Sequence, residues 1–283
     1  MKKILLLLLL ISANSMAATK IIVPFTPAGA VDLLARKFAQ YAELNSNLKF
    51  NIENDGGAGS LIGTTQFIKS KPNTIMITSS SWYINIVENK FQLEDFNPVA
   101  ILSESSMFLM VNKNQNLTCE KLKTPGKNYF IGTAGKGQTS VVANFLTEKF
   151  NHITEVPYKG VKPAVLDLLG NQINGVIIAS PTDLQEPLML LSNTSKYTVN
   201  GVPSFKECFG IEKVVTSQFL IFTSPNSDKQ FINNLNILSK RFIEDDEIKK
   251  YYSENGLFPK VTNIKETNTI INNELINWKN ILK

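Results

Sequence analysis

The stretch Val23–Phe38, "VPFTPAGAVDLLARKF", sets the frame for the rest of the chain. An apolar run, "KIIVPF", reads as a strand and stops at Pro-Ala-Gly-Ala. From Ala30 the apolar residues Val31, Leu34, Ala35, Phe38 and Ala42 recur at i, i+3, i+4 spacing, so a helix follows at once. The first-turn N–H groups of such a helix have no intrahelical partner, and the dipole adds positive potential there. The turn before Ala30 is therefore a place where an anion can sit.

Two further turns share this form. "NDGGAGSLIG" follows the strand-like "LKFNIEN", and "TAGKGQTS" follows "YFIGT". Glycine lets a backbone approach a ligand closely. A Gly-rich turn before one helix is common, but three of them across two series of strands indicate a cleft that holds an anion. Strands and helices alternate through most of the chain, which indicates an α/β fold with largely parallel sheets. "NTIMITSSS" reads as a strand ending in Ser79, Ser80 and Ser81, "VVANFLTEKF" as a helix, and "GVIIA" (Gly175 to Ala179) as a strand followed by Ser180. Two amphipathic stretches, "KQFINNLNILSKRFI" and "ETNTIINNELINWKNIL", lie near the C-terminus.

The chain has 283 residues, 43% hydrophobic and 19% charged, an ordinary globular composition with enough length for one large domain or two lobes. Residues 1–17, with Lys2, Lys3, an apolar run from Ile4 to Ile11 and then small residues, read as a secretory signal peptide. The run is too short to cross a bilayer core of ~30 Å. Cleavage is expected near Ala17 or Ala18, giving an exported, periplasmic protein. Losing Lys2 and Lys3 lowers the formal charge from +5 to +3. With no dense Lys/Arg stripe among aromatics, no nucleic-acid partner is expected. Cys119 and Cys208 either pair, as an oxidising compartment allows, or stay separate buried thiols.

Enzyme chemistry finds little support. His152, the only histidine, lies in a connector and reads as a surface residue. No G-x-S-x-G elbow occurs. "GTAGKGQTS" fits neither the dinucleotide fingerprint nor a Walker loop. No His/Cys/Asp cluster has metal-ligand spacing, and no cofactor or metal is expected.

Several blocks together resemble the Bug family, the extracytoplasmic receptors of tripartite tricarboxylate transporters. "PFTPAGAVDLLAR" (Pro24 to Arg36) is similar to P-F-x-P-G-G-x-x-D-x-x-A-R, and "NDGGAGSLIG" (Asn54 to Gly63) to N-x-x-G-A-G-x-x-x-G. "GTAGKGQ" (Gly132 to Gln138) resembles G-S-A-G-x-G-S, and "VPYKG", "LDLLGNQI" and "VPSFKE" follow in family order. The chain departs where Ala28 and Ala30 flank a single Gly29, where Asn73 replaces an Asp-Gly turn, and at Val161. These departures bear on the ligand more than on the fold.

The resemblance implies an α/β, two-lobed periplasmic binding protein of the Venus-flytrap, type II-like kind, with its ligand between the lobes. Lobe 1 would comprise residues 18–104 plus 222–283, and lobe 2 residues 105–221. Both cysteines would then lie in lobe 2, which makes a Cys119–Cys208 disulfide possible. It implies a monomer that captures a small organic carboxylate and hands it to membrane permease subunits. The same fold could instead feed a membrane sensor, and a secreted enzyme is the remote alternative. One wall of the site would be Phe25, Thr26, Ala28, Gly29, Ala30 and Asp32, a second Gly57, Ala58, Gly59 and Ser60. Lobe 2 would supply Thr133, Gly135, Lys136, Gly137, Gln138 and Thr139, with Ser80 and Ser180 at strand ends. Asp32 has a structural reading beside this one: stabilising the helix dipole and pairing with Arg36 at i+4. Lys136 is either a cation for a second carboxylate or a solvated loop lysine. Trp82 and Tyr83 read as core or cleft lining.

Overall fold

The computed structural model describes residues 18–179, 186–190 and 202–283. The expected signal peptide and Ser180 lie outside the described residues. The chain builds β1 (Thr19–Val23), α1 (Ala30–Asn45), β2 (Phe50–Asn54), α2 (Leu61–Ile68), β3 (Ile75–Ser79), α3 (Ser81–Val87) and β4 (Asn97–Ser106). Then come β5 (Phe108–Val111), α4 (Cys119–Lys123), β6 (Tyr129–Thr133), α5 (Gln138–Thr147), β7 (Ile153–Pro157) and α6 (Val161–Leu169). They are followed by β8 (Gly175–Ile178), β9 (Glu186–Leu190), α7 (Phe205–Phe209) and β10 (Thr216–Thr223). α8 (Lys229–Glu244), α9 (Asp246–Glu254), β11 (Leu257–Pro259) and α10 (Ile264–Ile281) complete it.

Two sheets organise these elements. The first has the order β11-β4-β10-β3-β1-β2, the second β7-β6-β8-β5-β9. In the first, β1 runs parallel to β2 and β3, and β10 is inserted antiparallel between β3 and β4. In the second, β6 runs parallel to β7 and β8, and β5 is inserted antiparallel between β8 and β9. Each sheet thus repeats one plan, and in each the inserted antiparallel strand is the first strand the chain forms after leaving the other sheet. This is the type II two-lobe arrangement.

The lobe boundaries follow from the strands. β4 stays in the first sheet through Ser106, and β10 rejoins it at Thr216. The chain therefore leaves the first sheet at Met107 and rejoins it at Thr216, a few residues from the boundaries at 104/105 and 221/222 that the resemblance implies. Residues 105–106 and 216–221 belong to lobe 1, because their backbone hydrogen bonds close that sheet.

Register places the turns. Val23 pairs with Asn54, so the turns after β1 and β2 emerge side by side. Thr133 pairs with Pro157, which does the same for the turns after β6 and β7. Ligands of open α/β sheets bind at such carboxyl ends of parallel strands.

The core explains why the turns hold still. Ile22, Met76, Trp82, Tyr83, Phe96 and Phe222 are buried together, with Trp82 against Phe222 at a centroid distance of 4.7 Å. Trp82 and Tyr83 are core residues. On the other face of the first sheet α1 packs Leu34, Phe38 and Ala42 onto Ile21, Val23 and Ile77. Cys119 and Cys208 are disulfide-bonded in lobe 2, with Cα atoms 5.4 Å apart, joining α4 to α7. His152 is buried, not at the surface: its Nε2 lies 2.9 Å from the Leu122 carbonyl oxygen, and the Tyr129 and Phe150 rings flank it. Among the described residues no helix is long and apolar enough to cross a membrane.

Candidate functional site

The first wall is built around Asp32, which is 1% exposed. Its Oδ2 accepts the Ala28 N–H at 2.8 Å and Arg36 Nε at 3.0 Å, and its Oδ1 accepts Asn54 Nδ2 at 2.9 Å. Asn54 Nδ2 also donates to the Phe25 carbonyl, so one acid ties both ends of the turn to β2. Burial works against the Asp32 charge, but Arg36, the Ala28 N–H and Asn54 together offset it and hold the carboxyl below its ordinary value. Its structural role is therefore on view.

The turn that Asp32 braces has an unusual backbone. Ala28 sits at φ 63°, a left-handed conformation that costs a residue with a Cβ about 1–2 kcal/mol. Gly29 is the extended N-cap of α1 and accepts the first helical bond, from Leu33 N at 3.0 Å. The N–H groups of Ala30, Val31 and Asp32 have no carbonyl within the helix.

The second turn is also held in left-handed backbone: Gly57, Ala58, Gly59 and Ser60 have φ of 131°, 49°, 65° and 75°. Such conformations persist where the surroundings over-determine them, often at ligand sites. Here Asn85 of α3 does so, donating to the Gly59 carbonyl and to Ser60 Oγ, both at 3.0 Å.

The lobe 2 turn organises itself. Thr133 Oγ1 donates to Glu155 Oε1 at 2.6 Å and accepts the Gly135 N–H, while Thr139 Oγ1 accepts the Ala134 N–H. Gly135 has φ 80°, and a Cβ there would come within 2.8 Å of the Tyr158 carbonyl oxygen. Tyr158 in turn donates to Asp167 at 2.6 Å. Burial, then that bond, push its phenol up to about 12.

These turns meet across the lobes. A Cβ on Gly59 would lie 2.5 Å from the Lys136 carbonyl oxygen and 3.2 Å from Gly137 N. A Cβ on Gly160, the N-cap of α6, would lie 2.6 Å from Thr26 Oγ1. Gln138 donates its N–H to Ser81 Oγ at 3.3 Å and its Nε2 to Ser217 Oγ at 2.9 Å. The N-termini of α1, α5 and α6 and the turn before α2 therefore converge where the two sheets face each other.

The structure thus brings together Thr26, Gly59, Lys136, Gly137 and Gln138 from the residues read in the sequence, with Ala28, Gly29, Ala30, Gly57 and Ala58 in the adjoining turns. The Lys136 side chain is exposed. Other residues serve the frame. Phe25 packs partly into the first-lobe core. Ser60, Thr133 and Thr139 hold their own turns. Ser80 is fully buried, donating to the Thr216 carbonyl at 3.2 Å and accepting from Gln218 N at 2.8 Å. It staples β3 to β10 at the hinge. The neighbouring Ser81, not Ser80, reaches lobe 2.

Three residues at the convergence carry no site expectation from the sequence, Asn85, Gly160 and Ser217, while Ser81 stands among Ser79, Ser80 and Ser81, of which at least one is expected at the ligand. Ser81 was one of three consecutive serines, and Gly160 stood within "VPYKG". Asn85 and Ser217 carry no local pattern. Next to Ser217, Gln218 accepts from Tyr83 at 2.6 Å and donates to Glu104 at 2.9 Å, and Lys260 pairs with Glu104 at 3.5 Å. This buried network lies along β4 and β10, the strands at the crossings.

Comparison with known proteins agrees with this architecture. A family model described as tripartite tricarboxylate transporter family receptor matches residues 34–283. Protein BugT of Bordetella pertussis is 26% identical, over 96% of this chain and 91% of that protein. An R. palustris protein solved with adipate superposes with a TM-score of 0.81 at 20% identity, over 93% of this chain and 95% of that one. MatC from Rhodopseudomonas palustris, solved with malate, gives 0.79 at 17% identity, over 94% and 99%. At these identities the structural likeness concerns the fold. The family match covers most of the chain, and the chain belongs to the tripartite tricarboxylate transporter family of receptors.

Proposed function

We propose that this receptor binds one small organic carboxylate between its lobes and delivers it to the membrane subunits of a tripartite transporter. The observation that carries the reading is the meeting of Gly59 with Lys136 and Gly137, backbone to backbone, beside the N-termini of α1 and α5. Helix N-termini and left-handed turns present N–H groups fixed in direction, which suits a carboxylate and needs little ordering on binding. At the first wall the charge of the Asp32 carboxylate is offset by Arg36, whose Nε lies 3.0 Å away, and its oxygens are engaged by Ala28 and Asn54.

Two solved relatives of the same fold hold dicarboxylates, adipate and malate. That supports an acid of this size class as the ligand here. Closure of the two lobes on the acid excludes water, which strengthens every N–H contact to it. The closed form is then the species the membrane subunits read. The receptor works as an exported monomer, cut near Ala17 or Ala18, and performs no covalent chemistry on its ligand.

Native mass spectrometry of protein purified from the periplasm without refolding tests the reading. A co-purified mono- to tricarboxylate that leaves unchanged on mild unfolding is the expected result. A covalently altered product, or a cationic or neutral ligand in the cleft, contradicts it.

A further inference from the structure

We infer that Ser81 of lobe 1 caps helix α5 of lobe 2, and that this borrowed cap latches the receptor shut. A share of the molecules then closes before any acid is bound, and the latch slows the acid's release. This rests on the two-lobe reading above and adds how the same cleft is regulated. Helix α5 starts at Gln138, behind an N-cap, Gly137, that has no side chain to offer. Other helices carry their own caps: Thr118, Ser204, Asp228 and Asn263 each accept a first-turn N–H of the helix they begin. α5 instead takes its partner from across the cleft, where the Gln138 N–H donates to Ser81 Oγ at 3.3 Å. Ser81 is buried and begins α3.

The surroundings are fitted to this contact. A Cβ on Gly137 would lie 2.7 Å from Ser81 Oγ and 3.6 Å from Gly59 Cα, so the bare backbone at Gly137 is what lets the serine approach. The Gln138 side chain is seated beside it, its amide 2.9 Å from Ser217 Oγ, with both residues buried. That hydroxyl can donate or accept, so the seat holds whichever way the amide is turned. One residue of lobe 2 thus rests on two serines of lobe 1, from α3 and from β10.

Every atom in these contacts belongs to the protein. Their effect on closure therefore applies to the empty and the occupied receptor alike. When the lobes part, the Gln138 N–H returns to water and α5 loses its cap. Replacing a capping serine by alanine is worth about threefold to tenfold in an equilibrium. A latch of that size leaves the empty receptor able to open and admit an acid, and holds the acid longer once it is inside. Because the acid enters the open form, the closed share of empty molecules slows association slightly, while release slows by the whole factor.

The test compares the receptor, freed of acid by unfolding and refolding with its disulfide intact, with its Ser81→Ala variant. Small-angle scattering of the two empty proteins should show Ser81→Ala more expanded. Succinate and citrate serve as probes in stopped-flow. For whichever binds, release should be about threefold to tenfold faster in the variant, and association faster by no more than about twofold. Gln138→Leu, which keeps the N–H but loses the seat on Ser217, should move both readouts the same way. It carries the test if circular dichroism shows Ser81→Ala misfolded. Superimposable scattering from the empty proteins overturns the inference, and faster release alongside it would mean that Ser81 touches the acid instead. Unchanged release overturns it as well. Binding of neither probe counts against the carboxylate reading, and the scattering of the empty receptors still decides the latch.

Discussion

Gly59 of lobe 1 and Lys136 of lobe 2 touch through their backbones: a Cβ on Gly59 would lie 2.5 Å from the Lys136 carbonyl oxygen. Real Cβ atoms do not approach an oxygen so closely, and the neighbour here is main chain, which yields little. Closure therefore depends on the missing side chain. Gly59→Ala should hold the lobes apart. Small-angle scattering with and without ligand should show compaction of the unaltered protein and little or none in the variant, with affinity reduced about tenfold or more. Equal compaction in both would contradict this contact. Because Gly59 has φ 65°, the variant also loses about 1 kcal/mol of stability, which melting reports separately.

Ala28 tests the opposite case. Its φ of 63° carries a Cβ penalty that glycine lacks, and its side chain is exposed. Ala28→Gly should raise stability by roughly 0.5–1 kcal/mol, after allowing for the greater freedom of glycine in the unfolded chain. Denaturant titration measures it. A loss of 1 kcal/mol or more would show that the turn is not as described.

Asp32 gives a dependence on pH with a definite sign. Its folded carboxyl lies below the ordinary 3.8, so its contribution is complete above that value and is lost as pH falls through the folded one. Asp32→Asn should cost about 1–2 kcal/mol at neutral pH through the weakened bonds to Ala28 and Arg36. The difference between the two proteins should shrink below about pH 4. A constant difference from pH 7 to pH 3 would place the effect elsewhere.

How much of this was readable from the chain depends on where the determinants lie. The start of α1 at Ala30 was legible because its causes are local: the apolar spacing, Gly29, and Asp32 reaching back to Ala28 and forward to Arg36. The position of β10 was not. "QFLIFT" is an apolar run that either sheet could accept, and its place is decided by pairing with Ile75–Ser79 and with β4, far away in the sequence. His152 misled because a histidine in a connector usually finds water. Here the Leu122 carbonyl and two rings enclose it. Among the three serines, sequence treats each alike. The end of β3 turns Ser80 toward Gln218 at the hinge and Ser81 toward α5.

The disulfide closes a separation of 89 residues. In the chain-entropy account a loop of that length contributes about 4–5 kcal/mol. Intact mass after alkylation should show Cys119 and Cys208 blocked without reductant and labelled with it. Reduction should lower the denaturant midpoint markedly. Two labelled thiols in oxidised, native protein would contradict the pairing.

The central claim is that a ligand carboxylate meets main-chain N–H groups at the start of α1. Gly29→Val probes it most directly, because the protein itself has room for the change. A Cβ on Gly29 would meet nothing closer than the Thr26 carbonyl oxygen at 3.6 Å, and the backbone there is extended, with φ −84°. Gly135→Val is less informative, since φ 80° and the Tyr158 carbonyl make that position strained whatever binds. Calorimetry with the co-purified acid, on Gly29→Val protein whose circular dichroism matches the unaltered receptor, should show affinity lower by about tenfold or more, equivalent to ~1.4 kcal/mol. Unchanged affinity in a folded Gly29→Val receptor would mean that the ligand does not sit at the α1 N-terminus.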